Sequence, residues 1–224
     1  MPVTDQTAET RQRLLEAAGE VFAECGFQKA TVREICKRAH ANVAAINYHF
    51  HDKQGLYAAV LKYALRCAAE EYRLPDGPLT RRNAEAGLRA IITARLRLVF
   101  DEGRPAWLGK LVSREMIEPT EALDALVKDD FQPRCNQLQA CVRVLLGPRA
   151  DEQRVRLCVI SLVSQWAFYH HARPVITRLY PAMKFAPQDI DALAGHIAEF
   201  SLAALKQLKK QSTVNPTGRH GSKK

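Results

Sequence analysis

Residues 31–56 read TVREICKRAHANVAAINYHFHDKQGL, and this stretch decides how the chain folds. Thr31 and Glu34 have the spacing of a capping box, in which a hydroxyl and a carboxylate satisfy the free amide groups at a helix start. A short helix is therefore predicted to begin there. Asn42 is a natural N-cap for a second short helix at 43–50. Two short helices around a tight turn predict a helix-turn-helix.

Apolar residues in and before this stretch fit the packing that such a motif needs. Ala39 is small where the two helices would cross, and Ile46 and Phe50 are apolar where the second helix would rest on the first. Upstream, apolar residues at helical spacing predict a supporting amphipathic helix from about residue 10 to residue 25, which Gly26 would end.

The rest of the chain is also predicted to be helical, because apolar residues recur at spacings of three and four almost throughout. The predicted fold class is all-α, with about nine helices in total: an N-terminal three-helix domain and a larger helical domain behind it. We place the helix-turn-helix domain at 1–53, the larger domain at 54–210 and a disordered basic tail at 211–224. Beyond the motif, helices are predicted at about 52–74, 82–100, 106–117, 122–146, 151–172 and 190–210.

The net charge of +9 does not by itself indicate nucleic-acid binding. After Glu199 the chain has six basic residues and no acidic one, whereas residues 1–50 contain six of each. A prediction of DNA binding therefore depends on the residue pattern and not on the isoelectric point.

Membrane and enzyme functions find little support in the sequence. No apolar stretch is long enough to span a bilayer, and the cysteines form no CxxC pair, so we expect a cytoplasmic protein with reduced core thiols. A redox sensor is the alternative for the cysteines. His170 and His171 point about 100° apart on a helix and cannot chelate one metal together. No catalytic residue, metal site or cofactor is predicted, although a helical enzyme or an interaction module remains an alternative.

Two segments resemble the TetR family of bacterial regulators. ATVREICKRAHANVAAINYHFHDKQGLYAAVL at 30–61 is similar to the family's DNA-binding region, and AAGEVFAECGF at 17–27 is similar to its first helix. The capping box, the turn, NYHF and a following Lys all occur in register. His40 stands where the family pattern has Gly, so a turn backbone with positive φ is expected at a histidine.

The resemblance implies that this part of the protein forms a surface that contacts double-stranded DNA. Phosphate contacts would come from Thr31, Tyr48, His49 and Lys53. Such contacts position the protein on the DNA without specifying the base sequence. Arg33 would reach a base edge or a phosphate. Core packing is the alternative for Tyr48 and His49, and a solvated charge for Lys53. The remaining predicted contacts, lining the floor of the major groove, are Asn42, Val43, Ala44, Ala45 and Asn47, the last at a place where many relatives have Tyr.

WLGKLVSREMIEPTEALDALVKDDFQPR at 107–134 resembles the C-terminal domain of a TetR subgroup named for the regulator CecR. Relatives of that kind control transporter and drug-sensitivity genes. The resemblance implies that 54–210 binds an effector between its middle helices and forms the dimer. The alternative is that the apolar residues are plain core and the charged ones an ion pair. The predicted ligand-binding residues are Trp107, Leu111, Arg114, Glu115, Met116, Phe131, Arg134 and Trp166.

The resemblance also implies that the last two long helices form a four-helix bundle with a partner protomer. The sequence supports this, because the helix at 151–172 has more apolar residues than one face can bury. Packing within one chain is the alternative. We therefore expect a homodimeric repressor that binds a palindromic operator and is released by a small-molecule effector. A regulator without a ligand, or one that activates, is the alternative.

Overall fold

A computed structural model describes residues 3–71, 79–100 and 107–214. All regular structure in these ranges is helical, which confirms the predicted all-α class. The helices are α1 (Val3–Lys29), α2 (Val32–Arg38), α3 (Val43–Phe50), α4 (Lys53–Glu71), α5 (Ala84–Phe100), α6 (Trp107–Ile117), α7 (Ala122–Leu126), α8 (Gln132–Leu146), α9 (Glu152–His171), α10 (Arg173–Leu179) and α11 (Pro187–Val214).

The described residues form two compact units that do not follow the order of the chain. The first unit consists of residues 3–71 and 107–132, and the second of residues 79–100 and 133–214. In the first unit α6 packs on α1 and α4, so helices far downstream belong to the core that supports the helix-turn-helix. The two packing units therefore differ from the two predicted domains, whose boundary was placed after residue 53.

Small residues on α1 allow the close packing of the first unit. Leu14, Ala18 and Phe22 are fully buried on its inner face. A Cβ atom added at Gly19 would lie 2.6 Å from three ring atoms of Trp107 in α6. At Gly26, where the sequence predicts the end of the helix, φ is 78° and ψ is 168°, and one further helical turn follows to residue 29.

The second unit is built around α5, which packs against α9 and α11. Leu88, Ile92 and Leu96 of α5 are fully buried in its core. The thiol of Cys141 in α8 donates a hydrogen bond to the carbonyl of Ala84 at 3.2 Å. Burial raises the pKa of this thiol to about 11, so Cys141 is an unreactive core residue at neutral pH.

Several features differ from the predicted helices, and the first is α1, which begins at Val3 instead of about residue 10. The segment 122–146, predicted as one kinked helix, contains a π-helical turn at Val127–Phe131 between α7 and α8. α10 was not predicted, although Pro174 stands in its first turn, where proline is well tolerated. Residues 211–214, predicted as part of a disordered tail, continue α11, because no Gly or Pro occurs between Gly195 and Pro216. The rest of that tail lies outside the described residues.

Candidate nucleic-acid interface

The start of α2 shows one half of the predicted capping box. The Thr31 side chain accepts a hydrogen bond from the Glu34 amide at 3.2 Å. The Glu34 carboxylate does not reach back to Thr31 but accepts from Arg38 Nε at 2.9 Å. Arg38 also donates to both carboxylate oxygens of Glu24 in α1, at 2.9 and 2.8 Å. The reciprocal half of the box is thus replaced by an ion-pair network that joins α2 to α1.

The turn between α2 and α3 has the backbone that the sequence predicts. His40 has a φ of 48°, which confirms a positive φ at this non-glycine position. The Asn42 side chain accepts from the Ala45 amide at 2.8 Å, which confirms Asn42 as the N-cap of α3. Ile46 and Phe50 are buried, so they fix α3 on the rest of the unit as predicted.

The opposite face of α3 is exposed and uncharged. Val43 is 49% exposed and Tyr48 is 75% exposed, and Ala44 and Asn47 are also exposed. No Lys or Arg occurs in α3, whose sequence is VAAINYHF. This face therefore presents small apolar groups, one amide and one phenol, and Arg33 of α2 is also exposed. Such a surface can enter a major groove and contact base edges.

The residues predicted to contact phosphates differ in their exposure and in their side-chain contacts. Tyr48 is exposed, so the core-packing alternative is wrong for it. His49 is half-buried between the rings of Tyr48 and Phe50, with centroid distances of 4.9 and 5.9 Å. Lys53 is also half-buried: its Nζ lies 4.6 Å from the Phe27 ring centroid and donates to the Gln28 carbonyl at 3.4 Å. Lys53 is thus held against the end of α1 instead of extending freely into solvent.

The predicted ligand-binding residues are distributed over both units. In the first unit, Trp107 and Leu111 are buried in the core, and Trp107 stacks on Tyr63 with centroids 6.4 Å apart. Met116 of this unit is exposed and Phe131 is half-buried. In the second unit, Trp166 is buried in the core and Arg134 is half-buried. Six of the eight residues thus lie in the first unit and two in the second.

The two remaining predicted residues, Arg114 and Glu115, do not pair with each other. Arg114 forms an ion pair with Glu118 at 3.3 Å. Glu115 is fully buried and accepts from the Tyr57 hydroxyl at 2.5 Å, the Thr120 amide at 2.7 Å and the Thr120 hydroxyl at 2.9 Å. The ion pair that is the alternative for the charged residues therefore does not form between Arg114 and Glu115, because Glu118 pairs with Arg114 and neutral donors satisfy Glu115.

Sequence reasoning missed the role of Tyr57 and Thr120 in this cluster. Burial, and then the hydrogen bond to Glu115, raise the pKa of Tyr57 well above its usual value. The available signal was a glutamate on the apolar side of α6, since an acidic residue in a core needs buried donors.

A second exposed apolar surface lies on α9 and α11. Leu157, Ile160 and Phe200 are 57%, 63% and 64% exposed, respectively. A groove of about 590 Å³ runs between the two helices in this region. This surface includes part of the apolar excess that the sequence shows at 151–172.

Family models match both parts of the chain. The model described as bacterial regulatory proteins, tetR family, matches residues 14–60. The model described as the C-terminal domain of the HTH-type transcriptional dual regulator CecR matches residues 84–205, which is more than half of the chain. The chain belongs to the TetR family.

Curated and solved proteins agree with this membership. This TetR-family chain is 27% identical to the HTH-type transcriptional dual regulator CecR of Shigella flexneri, over 73% of this chain and 76% of that protein. It is 29% identical to the HTH-type transcriptional repressor AcnR of Corynebacterium efficiens, over 68% and 72% of the two chains. The crystal structure of a transcriptional regulator from Pseudomonas aeruginosa PAO1 has a TM-score of 0.61 at 22% identity, covering 92% of this chain and 95% of that one, and shows the same fold.

The TetR-family chain is accordingly a DNA-binding transcriptional regulator and not an enzyme. In the part of the chain that the structure describes, no helix has both the length and the apolarity to cross a membrane. Among the same residues no group of three His, Cys, Asp or Glu side chains is placed to hold a metal ion.

Proposed function

We propose that this regulator is a homodimeric cytoplasmic repressor that inserts α3 of each protomer into the major groove of a palindromic operator. The observation that carries the proposal is the exposed, uncharged face of α3, fixed by the buried Ile46 and Phe50. A small-molecule effector releases the repressor. The description of AcnR as a repressor supports the direction of regulation.

The proposed DNA contacts fall into two classes. Val43, Ala44 and Asn47 contact base edges, since they lie on the exposed face of α3. Thr31, Tyr48, His49 and Lys53 hold phosphates on either side, and Arg33 reaches a base or a phosphate. Asn42 and Ala45 contribute the capped first turn of α3, in which the Asn42 side chain accepts from the Ala45 amide.

Substitution of a small side chain on α3 tests whether this helix recognises the base sequence. Ala44→Asp places a carboxylate with no donor against base acceptors in the groove, so sequence-specific binding in a gel shift should be lost. Ala58→Asp introduces the same charge at an exposed position of α4 and should bind nearly as well as the wild type. Normal operator binding by Ala44→Asp would show that α3 is not the reader.

The partner that covers α9 and α11 is, in this proposal, a second copy of the chain. The exposed Leu157, Ile160 and Phe200 support it, because large apolar side chains exposed on two packed helices are typical of a protein interface. A two-fold dimer also accounts for a palindromic operator, since each protomer would read one half-site.

A pair of matched variants tests the dimer. Light scattering at micromolar concentration should return a dimer mass for the wild type and a monomer mass for Ile160→Glu. Leu179→Glu, on α10 of the same unit and 66% exposed against 63% for Ile160, should remain a dimer. A monomeric wild type would refute both the dimer and the palindrome.

The effector is proposed to bind among the middle helices, next to a tryptophan side chain; family membership supports this. A compound that dissociates the operator complex should also change tryptophan fluorescence. Release must come from tighter binding to the DNA-incompetent state, by several kcal/mol for a near-complete switch. Release with unchanged fluorescence in the wild type would place the site away from both tryptophans.

Activation at some promoters is a second candidate function, which the description of CecR as a dual regulator favours. In vitro transcription from a bound promoter distinguishes the two. A repressor lowers transcript yield as protein is added, whereas an activator raises it.

A further inference from the structure

Two asparagines lie at the proposed DNA-contacting surface, Asn42 at the N-cap of α3 and Asn47 within it, and they are not equivalent. Asn42 uses its Oδ1 to accept from the Ala45 amide at 2.8 Å, which fixes the orientation of its amide. Asn47 is exposed and makes no side-chain hydrogen bond within the described ranges. Both its Oδ1 acceptor and its Nδ2 donor are therefore free to pair with a ligand.

The neighbours of Asn47 on the exposed face are apolar. Val43 lies one helical turn before it and Ala44 three residues before it, so the three side chains share a face. An asparagine amide can pair bidentately with N6 and N7 of adenine, and aliphatic side chains contact the methyl group of thymine. Guanine is read most often by Arg or Lys, and α3 has neither.

We propose that Asn47 is a specificity-determining residue and that it selects adenine. Val43 and Ala44 select thymine methyl groups beside it, so the base pairs under α3 are A·T pairs. This inference rests on the proposed function, because it requires α3 to enter the major groove.

Selection of bound duplexes from random DNA tests the inference. The wild type, Asn47→Ala and Asn47→Arg are compared, with circular dichroism to verify that these exposed substitutions leave the fold intact. The wild-type motif should contain an A·T pair in each half-site, and Asn47→Ala should lose roughly 5- to 150-fold of the discrimination at that pair. Asn47→Arg should change the preferred base at the same pair from adenine to guanine.

A charge-matched variant separates base reading from general attraction to DNA. Gln188→Arg adds the same charge at an exposed position of α11 and should leave the selected motif unchanged. Two outcomes overturn the inference alone: a G·C pair under α3 in the wild-type motif, or an unchanged adenine preference in Asn47→Ala. Failure of the wild type to enrich any motif would overturn the proposed function, and this inference with it.

Discussion

The hydroxyl of Tyr57 donates a hydrogen bond of 2.5 Å to Glu115 Oε2 and so joins α4 to α6 inside the first unit. Glu115 Oε1 accepts from Thr120 at the turn after α6. A buried carboxyl group is tolerated only when donors satisfy it. The cluster therefore explains how a glutamate occupies the core and links α6 to the long helix that follows the reading helix α3.

Removal of the Tyr57 hydroxyl should destabilise the protein. In Tyr57→Phe the Oε2 atom of Glu115 loses its donor, so the free energy of unfolding should fall by about 1–3 kcal/mol. Urea unfolding at one fixed protein concentration measures the change. The control is Tyr63→Phe. The Tyr63 hydroxyl is only partly buried and accepts a hydrogen bond from Gln12 at 2.8 Å. Its removal should lower the free energy of unfolding by less than about 1 kcal/mol. Equal losses in the two variants would contradict the role of the cluster.

Stability should also depend on Tyr57 at high pH. Its pKa in the folded protein is raised by burial, whereas in the unfolded chain it titrates at about 10. Above that pH the unfolded chain releases a proton that the folded protein keeps, so the free energy of unfolding falls as pH rises. The decline between about pH 10 and pH 11 should be steeper in the wild type than in Tyr57→Phe, by up to about 1.4 kcal/mol per pH unit. Parallel declines would show that Tyr57 ionises normally in the folded state.

Two glycine substitutions should shift stability in opposite directions. Gly19→Ala places a Cβ 2.6 Å from the Trp107 ring and should cost about 1–3 kcal/mol through overpacking. Gly195→Ala, within α11, meets nothing within 4 Å and should stabilise the helix by about 0.5–1 kcal/mol. Thermal unfolding of both variants provides the comparison. A stabilising Gly19→Ala would mean that α1 and α6 pack less closely than described.

Lys53 should contribute affinity but little sequence preference. Lys53→Ala is expected to weaken binding about equally on all DNA and to reduce the slope of log K against log salt by about one. Lys62→Ala, an exposed position on α4 outside the proposed interface, should leave the slope unchanged. Fluorescence anisotropy at several salt concentrations measures both slopes. If both variants lower the slope equally, Lys53 acts only through the overall charge.

The local features of the helix-turn-helix could be predicted before the fold was known. The cap at Asn42 and the burial of Ile46 and Phe50 were predicted from the pattern of nearby residues, and the positive φ of His40 was predicted from the resemblance to the TetR family, whose pattern has Gly there. The capping box was only half predictable. Glu34 had a competing partner in Arg38, and Arg38 in turn is held by Glu24 of another helix.

The place of α6 could not be predicted, because it depends on packing between helices that are distant in the chain. Helical periodicity marks Trp107 and Leu111 as apolar, but it does not indicate which core they enter, and we predicted a ligand site for residues that fill the core of the first unit. Trp107 lies there because Gly19, far upstream, leaves room for its ring, and Glu115 lies there because Tyr57 supplies a buried donor. Such pairings join residues distant in the chain, and shape and hydrogen-bonding complementarity between them exists only once both helices are in place.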